Sequence, residues 1–152
     1  MKIAVCSDEL YPVNEFVVQE LERLGHQVVP FGALQTRQSE AWIKTAQIAA
    51  KAIRDGECDE GIFFCWTGTG ISIVANKVPG IRAALCTDAQ TAKGARIWNQ
   101  ANVLALSNRL LTQDLAKEIL EAWFNTKNDE KGEQIIKEIE AIEREYYIRN
   151  CN

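Results

Sequence analysis

No apolar stretch in the 152-residue chain approaches the roughly 20 residues that a membrane-spanning helix requires, so no membrane partner is expected. Basic charge is also scarce. The 17 Lys and Arg are outnumbered by 21 Asp and Glu, for a net charge of −4 and a pI near 5.1. Such a chain sets up no field that gathers nucleic acid, and none is expected as a partner. Histidine is limited to His26, and the five cysteines, Cys6, Cys58, Cys65, Cys86 and Cys151, are widely spaced with no Cys-x-x-Cys pair. That argues against a zinc site, predicts no bound metal, and points to reduced thiols. Met1-Lys2 leads into a strand-like run with no signal-peptide cleavage region, and the expected compartment is the cytoplasm. Repeats, low-complexity tracts and linkers are lacking as well, so residues 1–152 are expected to form one domain.

What is present is an ordinary globular composition, 47% apolar and 25% charged, arranged in alternation. Apolar runs at Ile3–Cys6, Gln27–Phe31, Gly61–Trp66, Arg82–Cys86 and Val103–Leu106 have the character of buried parallel strands, and the segments between them are long enough for helices. The alternation predicts an α/β fold, a three-layer α/β/α sandwich with a five-stranded parallel, Rossmann-like sheet and a C-terminal helix. Phe16, Val17, Leu21 and Leu24 recur at helical spacing after Pro12 and before Gly25, a helix with its usual start and stop. Further helices are expected over Glu40–Arg54, Thr69–Val78, Asp88–Trp98 and Thr112–Phe124. The last, over about residues 131–149, puts Ile135, Ile139 and Ile142 on one stripe, to pack on its own chain or on a second subunit.

In open α/β sheets ligands bind beyond the carboxyl ends of the strands. That selects Ser7-Asp8-Glu9, the residues from Gly32, Cys65 to Ser72, Thr87-Asp88, and Ser107-Asn108-Arg109. Thr67-Gly68-Thr69-Gly70 is a glycine-containing turn ahead of a helix, whose outward N–H groups suit a phosphate or a developing oxyanion. It is neither a Walker A loop nor a full dinucleotide fingerprint. A thiol such as Cys65, at the end of a buried strand before a helix, sits where a thiolate is stabilised. Cysteine is also a common core filler, and position alone leaves both readings open. For Cys6 and Cys86, inside strands, packing is the stronger reading, while Cys58 and Cys151 read as surface or tail residues. His26 is expected at the surface, Arg82 in an ion pair, and Arg96 facing either solvent or substrate.

The stretch from Cys65-Trp66-Thr67-Gly68-Thr69-Gly70-Ile71-Ser72 through Ala75-Asn76-Lys77 and Pro79-Gly80-Ile81-Arg82 to Cys86 resembles the signature of the B-type ribose-5-phosphate isomerases, a family that includes the galactose-6-phosphate isomerase subunits. Ala92-Lys93, Asn99, Asn102-Val103-Leu104-Ala105-Leu106, Arg109 and Trp123 fall at matching places, so the resemblance covers nearly the whole chain. It implies an aldose–ketose isomerase without metal or organic cofactor, working on a sugar or sugar phosphate as a homodimer or dimer of dimers with sites at the subunit interface. It further implies that Cys65 moves a proton between C1 and C2, and that the amides of Gly68, Thr69, Gly70, Ile71 and Ser72 hold the enediolate. By the same resemblance Asp8 binds sugar hydroxyls, Thr67 assists ring opening, Asn99 binds substrate and Arg109 binds phosphate.

The departures from that pattern fall in one region of the chemistry. Where the family has Asp-His this chain has Asp8-Glu9, and Leu10-Tyr11-Pro12 replaces a glycine-containing turn. A carboxylate at Glu9 repels phosphate. The ring-opening histidine is Trp98, whose indole cannot accept and return a proton. Glu40-Ala41-Trp42 and Trp66 replace smaller or different residues, and of the C-terminal phosphate-gripping arginines only Lys131 offers a substitute, as a point charge in place of a fork. The proton-transfer centre is kept while phosphate grip and ring opening are eroded. This predicts an isomerase of altered substrate, either a short-chain sugar phosphate that needs no ring opening or an unphosphorylated sugar. The alternative is an inactive relative that binds carbohydrate or regulates.

Overall fold

The structure, a computed structural model, describes residues 1–127 and 131–147; Cys151 and the last two residues of the expected C-terminal helix lie outside them. The chain runs β1 (Lys2–Ser7), α1 (Pro12–Arg23), β2 (Gln27–Gly32), a short α2 (Ala33–Thr36), α3 (Trp42–Arg54), β3 (Glu60–Cys65), α4 (Thr69–Ala75), β4 (Ala83–Leu85), α5 (Ala89–Asn99), β5 (Val103–Ser107), α6 (Gln113–Asn125) and α7 (Gly132–Tyr147). The five strands form one sheet in the order β2-β1-β3-β5-β4, parallel throughout. The expected α/β class and strand set are thus present. None of the described helices is long and apolar enough to cross a membrane.

The strands are apolar on both faces because each face is covered. Ile3, Val5, Ile62, Phe64, Leu104 and Leu106 point to one side, where they meet Val17 and Leu21 of α1 and Ile119, Leu120 and Trp123 of α6. Alternate residues, Ala4, Cys6, Phe63, Cys65, Val103 and Ala105, point to the other, against α3 and α4. Successive strand side chains face opposite ways, so one run of sequence feeds both layers. On α3 the buried positions Ala46, Ala49, Ala50 and Ala52 carry almost no side chain, which lets the helix lie close to the sheet beside the Phe63 ring.

Local chemistry sets the helix ends. Pro12 starts α1 and Gly25, at φ +83°, follows its last turn. Asp88 caps α5 by accepting from Thr91 N–H at 2.7 Å, which also holds its carboxyl below the usual range, so this strand-end residue is spent on the fold. Helix α4 ends three residues earlier than expected. The Asn76 side chain donates to Ala83 C=O and accepts from Ala83 N–H, both at 2.8 Å, pairing with the edge strand like a strand residue. Helix α7 is anchored by the Glu143 carboxylate, which accepts from Gly80 N–H at 2.9 and 3.0 Å.

Four expectations are corrected. Cys58 is buried, with only 4% exposed. Arg82 makes no ion pair among the described residues; it donates to the carbonyls of Gln100 at 2.7 Å and Gly80 at 3.2 Å. His26 is half-buried, its ring 4.4 Å from that of Phe124. Arg96 faces neither solvent nor substrate: it pairs with Glu60 at 2.8 Å, donates to Ala101 C=O at 2.7 Å and lies over the Trp123 ring, while Trp123 Nε1 donates to the same Glu60 carboxylate at 2.9 Å. Removing one member of such a largely buried pair, with side chains 13% and 12% exposed, strands the other charge. Arg96→Ala is therefore expected to lower unfolding free energy by about 3–5 kcal/mol in urea denaturation; a loss below about 1 kcal/mol contradicts this account of the pair.

Candidate active site

From β1 the chain crosses one way to β2, then returns past β1 to β3. A crevice therefore opens between the carboxyl ends of β1 and β3, the place where such sheets bind ligands. Register brings the ends level: Ser7 pairs with Phe64 and Cys65 with Ser107. Beyond the ladder, Asn108 N–H donates to Cys65 C=O at 2.9 Å and Arg109 N–H to Trp66 C=O at 3.0 Å. Asp8, Glu9, Cys65, Thr67 and Arg109 thus leave the sheet at one edge.

The turn after Cys65 depends on Gly68. Its φ is +77°, and a Cβ there would lie 2.5 Å from Leu85 Cδ1 and 3.0 Å from the Leu106 carbonyl carbon. Gly68 offers no side chain to cap α4, so the first-turn amides of Thr69, Gly70 and Ile71 have no acceptor within the helix. Ser72 N–H is already donated to Gly68 C=O at 3.3 Å, which takes Ser72 out of the cradle expected over Gly68–Ser72 and leaves Thr69, Gly70 and Ile71 as its helix amides. A Cβ at Gly70 would lie 2.9 Å from the Trp42 ring, so this indole roofs the cradle. The Thr67 and Thr69 hydroxyls share a hydrogen bond of 2.6 Å at its mouth.

Across the crevice, Asp8 Oδ1 is sealed from solvent without a hydrogen-bond partner among the described residues. Burial pushes its carboxyl above the usual range, backbone amides offset part of the rise, and the Glu9 charge adds to it. Glu9 is exposed but not idle: it accepts from the Tyr11 hydroxyl at 2.8 Å, which raises the Tyr11 phenol above its ordinary value. The Tyr11 ring in turn lies 5.9 Å from that of Trp66. The crevice is therefore walled by aromatic rings and lined with carboxylates, with Arg109 as the cation placed beside Trp66. Cys65 is 6% exposed at its floor. Burial pushes Cys6 well up and Cys86 up to about 12, so those two thiols stay neutral packing groups. Among the described residues no cluster of His, Cys, Asp or Glu is placed to hold a metal ion.

The remaining site candidates do not reach this crevice within one chain. Trp98 and Asn99 close α5, just ahead of β5 at the amino edge of the sheet, and both are exposed. Lys131 joins them there, since a Cβ on the adjacent Gly132 would lie 2.6 Å from the Gln100 side chain. The five residues of β5, at about 3.3 Å each, separate this group from Cys65. Trp98 also rims a cavity of about 890 Å³ between β4, α5 and α7, together with Leu85, Ile139 and Ile142.

A family model described as Ribose/Galactose Isomerase matches residues 3–142. The chain belongs to the ribose/galactose isomerase family. Among its relatives, the D-erythrulose-4-phosphate isomerase of Pectobacterium atrosepticum is 37% identical over 133 residues, covering 87% of this chain and 88% of that protein. Ribose-5-phosphate isomerase B of Escherichia coli is 35% identical over 145 residues, covering 94% and 97%. The solved ribose-5-phosphate isomerase B of Clostridium thermocellum superposes with a TM-score of 0.87 at 38% identity, covering 96% of this chain and 99% of that one.

Within the ribose/galactose isomerase frame, the sequence had placed Tyr11, Trp42 and Asn108 near the site, and the group that escaped it is the buried amide of Asn14, which donates to Asn108 Oδ1 at 2.7 Å. Asn14 left a signal, a polar residue among Val13, Val17 and Leu21 on the buried stripe of α1. Asp8 carries a stability cost that pH exposes. Its folded value is raised, so ionisation above that value destabilises the fold, and the cost vanishes as pH falls through it towards the ordinary carboxylate range. Asp8→Asn is expected to raise the urea midpoint at pH 7, with the gain shrinking towards pH 4; an equal loss of stability at both pH values contradicts the raised carboxyl.

Proposed function

We propose that this isomerase interconverts an open-chain aldose phosphate of four carbons and the corresponding ketose, with Cys65 as the base. The observation that carries the reading is what converges on one edge of the sheet: the Cys65 thiol at the end of β3, helix amides of α4 without acceptors in the helix, and the half-buried Asp8 carboxyl after β1. Proton transfer next to a carbonyl needs a base within reach of two adjacent carbons and donors aimed at the oxyanion. The Cys65 thiolate takes the C2 proton of the aldose, and the C–H electron pair forms the C1–C2 double bond. The carbonyl oxygen takes the charge against the amides of Thr69, Gly70 and Ile71. The proton returns to C1 as the O2 proton moves to O1, which leaves the ketose with no net change in atoms or electrons. Asp8, half-buried at the crevice, accepts from substrate hydroxyls through the part of its carboxylate that is not sealed.

Chain length follows from what the site does without. In an aldose of four carbons the C4 oxygen carries the phosphate, so no five-membered ring closes and no ring-opening acid is needed. Trp98 in place of the family's histidine is then no handicap. A relative named for D-erythrulose 4-phosphate supports the same size. Arg109 is the cation assigned to the phosphate on this chain, while Glu9, tied to Tyr11, disfavours an anion at its own end of the crevice.

The chain is further assigned, as a single domain in the cytoplasm, to a homodimer or dimer of dimers. Trp98 is 71% exposed and Ile142 58% on the rim of the apolar cavity, a patch that a second copy would cover. Such a copy would carry Trp98, Asn99 and Lys131 to the crevice they cannot reach in their own chain. The inactive alternative draws no support from an intact thiol and cradle.

Incubating D-erythrose 4-phosphate and D-ribose 5-phosphate with the enzyme in deuterated water, and following deuterium at C1 and C2 by NMR, tests the reading. The four-carbon substrate should exchange at least about tenfold faster, and Cys65→Ala should slow exchange by about 10²-fold to 10⁴-fold. Undiminished exchange in Cys65→Ala overturns the assignment of the base, and preference for the five-carbon sugar overturns the assignment of substrate size.

A further inference from the structure

The two sides of the crevice are joined by side-chain amides to which the reaction gives no part. Asn14 on α1 and Asn108 after β5 are both buried. Asn14 Nδ2 donates to Asn108 Oδ1 at 2.7 Å, Asn108 Nδ2 donates to Ser7 Oγ at 3.2 Å, and Ser7 Oγ donates to Glu9 C=O at 2.5 Å. At the other end, Tyr11 N–H donates to Asn14 Oδ1 at 2.9 Å. The path has one direction throughout. It starts and finishes on the same turn, at the N–H of Tyr11 and the C=O of Glu9, on either side of Leu10. Its central member also holds the opposite wall, because Asn108 N–H donates to Cys65 C=O at 2.9 Å.

Packing does not ask for amides at these places. Asn14 stands between Val13 and Val17 on the buried stripe of α1, where its Oδ1 closes a capping box with Tyr11 N–H; the cap uses only that oxygen and leaves the Nδ2 donor to be satisfied elsewhere. What two facing amides supply is a fixed separation: each side chain is locked by the other's donor or acceptor, and a fully satisfied buried network holds one geometry. Here that geometry spans from the turn bearing Asp8 to the strand end bearing Cys65.

We propose that Asn14 and Asn108 are positioning residues, a bracket that sets the distance between the Asp8 carboxyl and the Cys65 thiol and so the alignment in which the proton moves. The bracket rests on the assignment of Cys65 as the base. Reacting groups tolerate little displacement, and a shift of about 1 Å costs on the order of 10²-fold in rate. Ser7 belongs to the bracket as its link to the Glu9 carbonyl.

Steady-state kinetics on D-erythrose 4-phosphate, with thermal unfolding of each variant alongside, decides the matter. Asn14→Leu, Asn108→Ala and Ser7→Ala should each lower kcat by about 10-fold to 100-fold, with KM rising by less than about threefold. Because the residues act as one unit, Asn14→Leu combined with Asn108→Ala should be no slower than the slower single variant. A structural role alone lowers Tm and leaves kcat of the folded enzyme near wild type, and that result overturns the proposal; so do losses that multiply in the double variant. Ser7→Ala, which removes a single oxygen, keeps the test open if an asparagine variant does not fold. Cys65→Ala in the same assay separates the two possible failures. Turnover retained there overturns the base and the bracket together, whereas turnover lost there but kept in Asn14→Leu and Ser7→Ala overturns the bracket alone.

Discussion

The pairing of β3 between β1 and β5 is the constraint from which the site follows. Parallel ladders on both sides fix where β3 ends, level with Ser7 on one flank and Ser107 on the other. Because the strand is buried on both faces, a slip of one residue would exchange its two apolar sets. Cys65 is thereby delivered to the carboxyl edge at the point where the sheet changes winding direction. The chain must then turn at once into α4 beneath Leu85 and Leu106, and only a residue without Cβ and tolerant of φ +77° fits at Gly68. The uncapped amides of α4 are the product of that turn.

Function is held in this fold against its stability. A carboxyl with a sealed oxygen at Asp8 that has no partner among the described residues, unclaimed amides at the start of α4, and large exposed indoles at Trp66 and Trp98 each cost the isolated chain stability. The compensations lie elsewhere. The Glu60–Arg96–Trp123 cluster and the alanine-lined contact of α3 give the sheet its rigidity at places the chemistry never touches.

Much of this was legible in the residues. Apolar runs marked the five strands, Pro12 and Gly25 bounded α1, and the segment from Cys65 to Ser72 marked the cradle. Local pattern failed where a distant partner decides. Asn76 ends α4 because Ala83 stands opposite with its backbone unpaired, Arg82 binds carbonyls because Gln100 and Gly80 converge on it, and Cys58 is covered by folding. Matching single residues to the family did not say that Trp98, Asn99 and Lys131 lie at the far edge of the sheet from Cys65, although the resemblance implied a site shared between subunits. Helices return antiparallel to the strands, so a residue at the end of α5 is carried away from the very edge that a residue at the end of β3 occupies.

On the proposed function, one chain holds the thiol, the cradle and Asp8, and a second chain would supply Asn99 and its neighbours. Mixing two variants, Cys65→Ala and Asn99→Ala, after unfolding and refolding them together tests it directly. Each alone should be severely impaired. In a two-fold pair, a mixed dimer rebuilds one complete site and one doubly altered one, so the mixture should recover about a quarter of wild-type turnover. Recovery no greater than the average of the two separate variants would contradict the shared site.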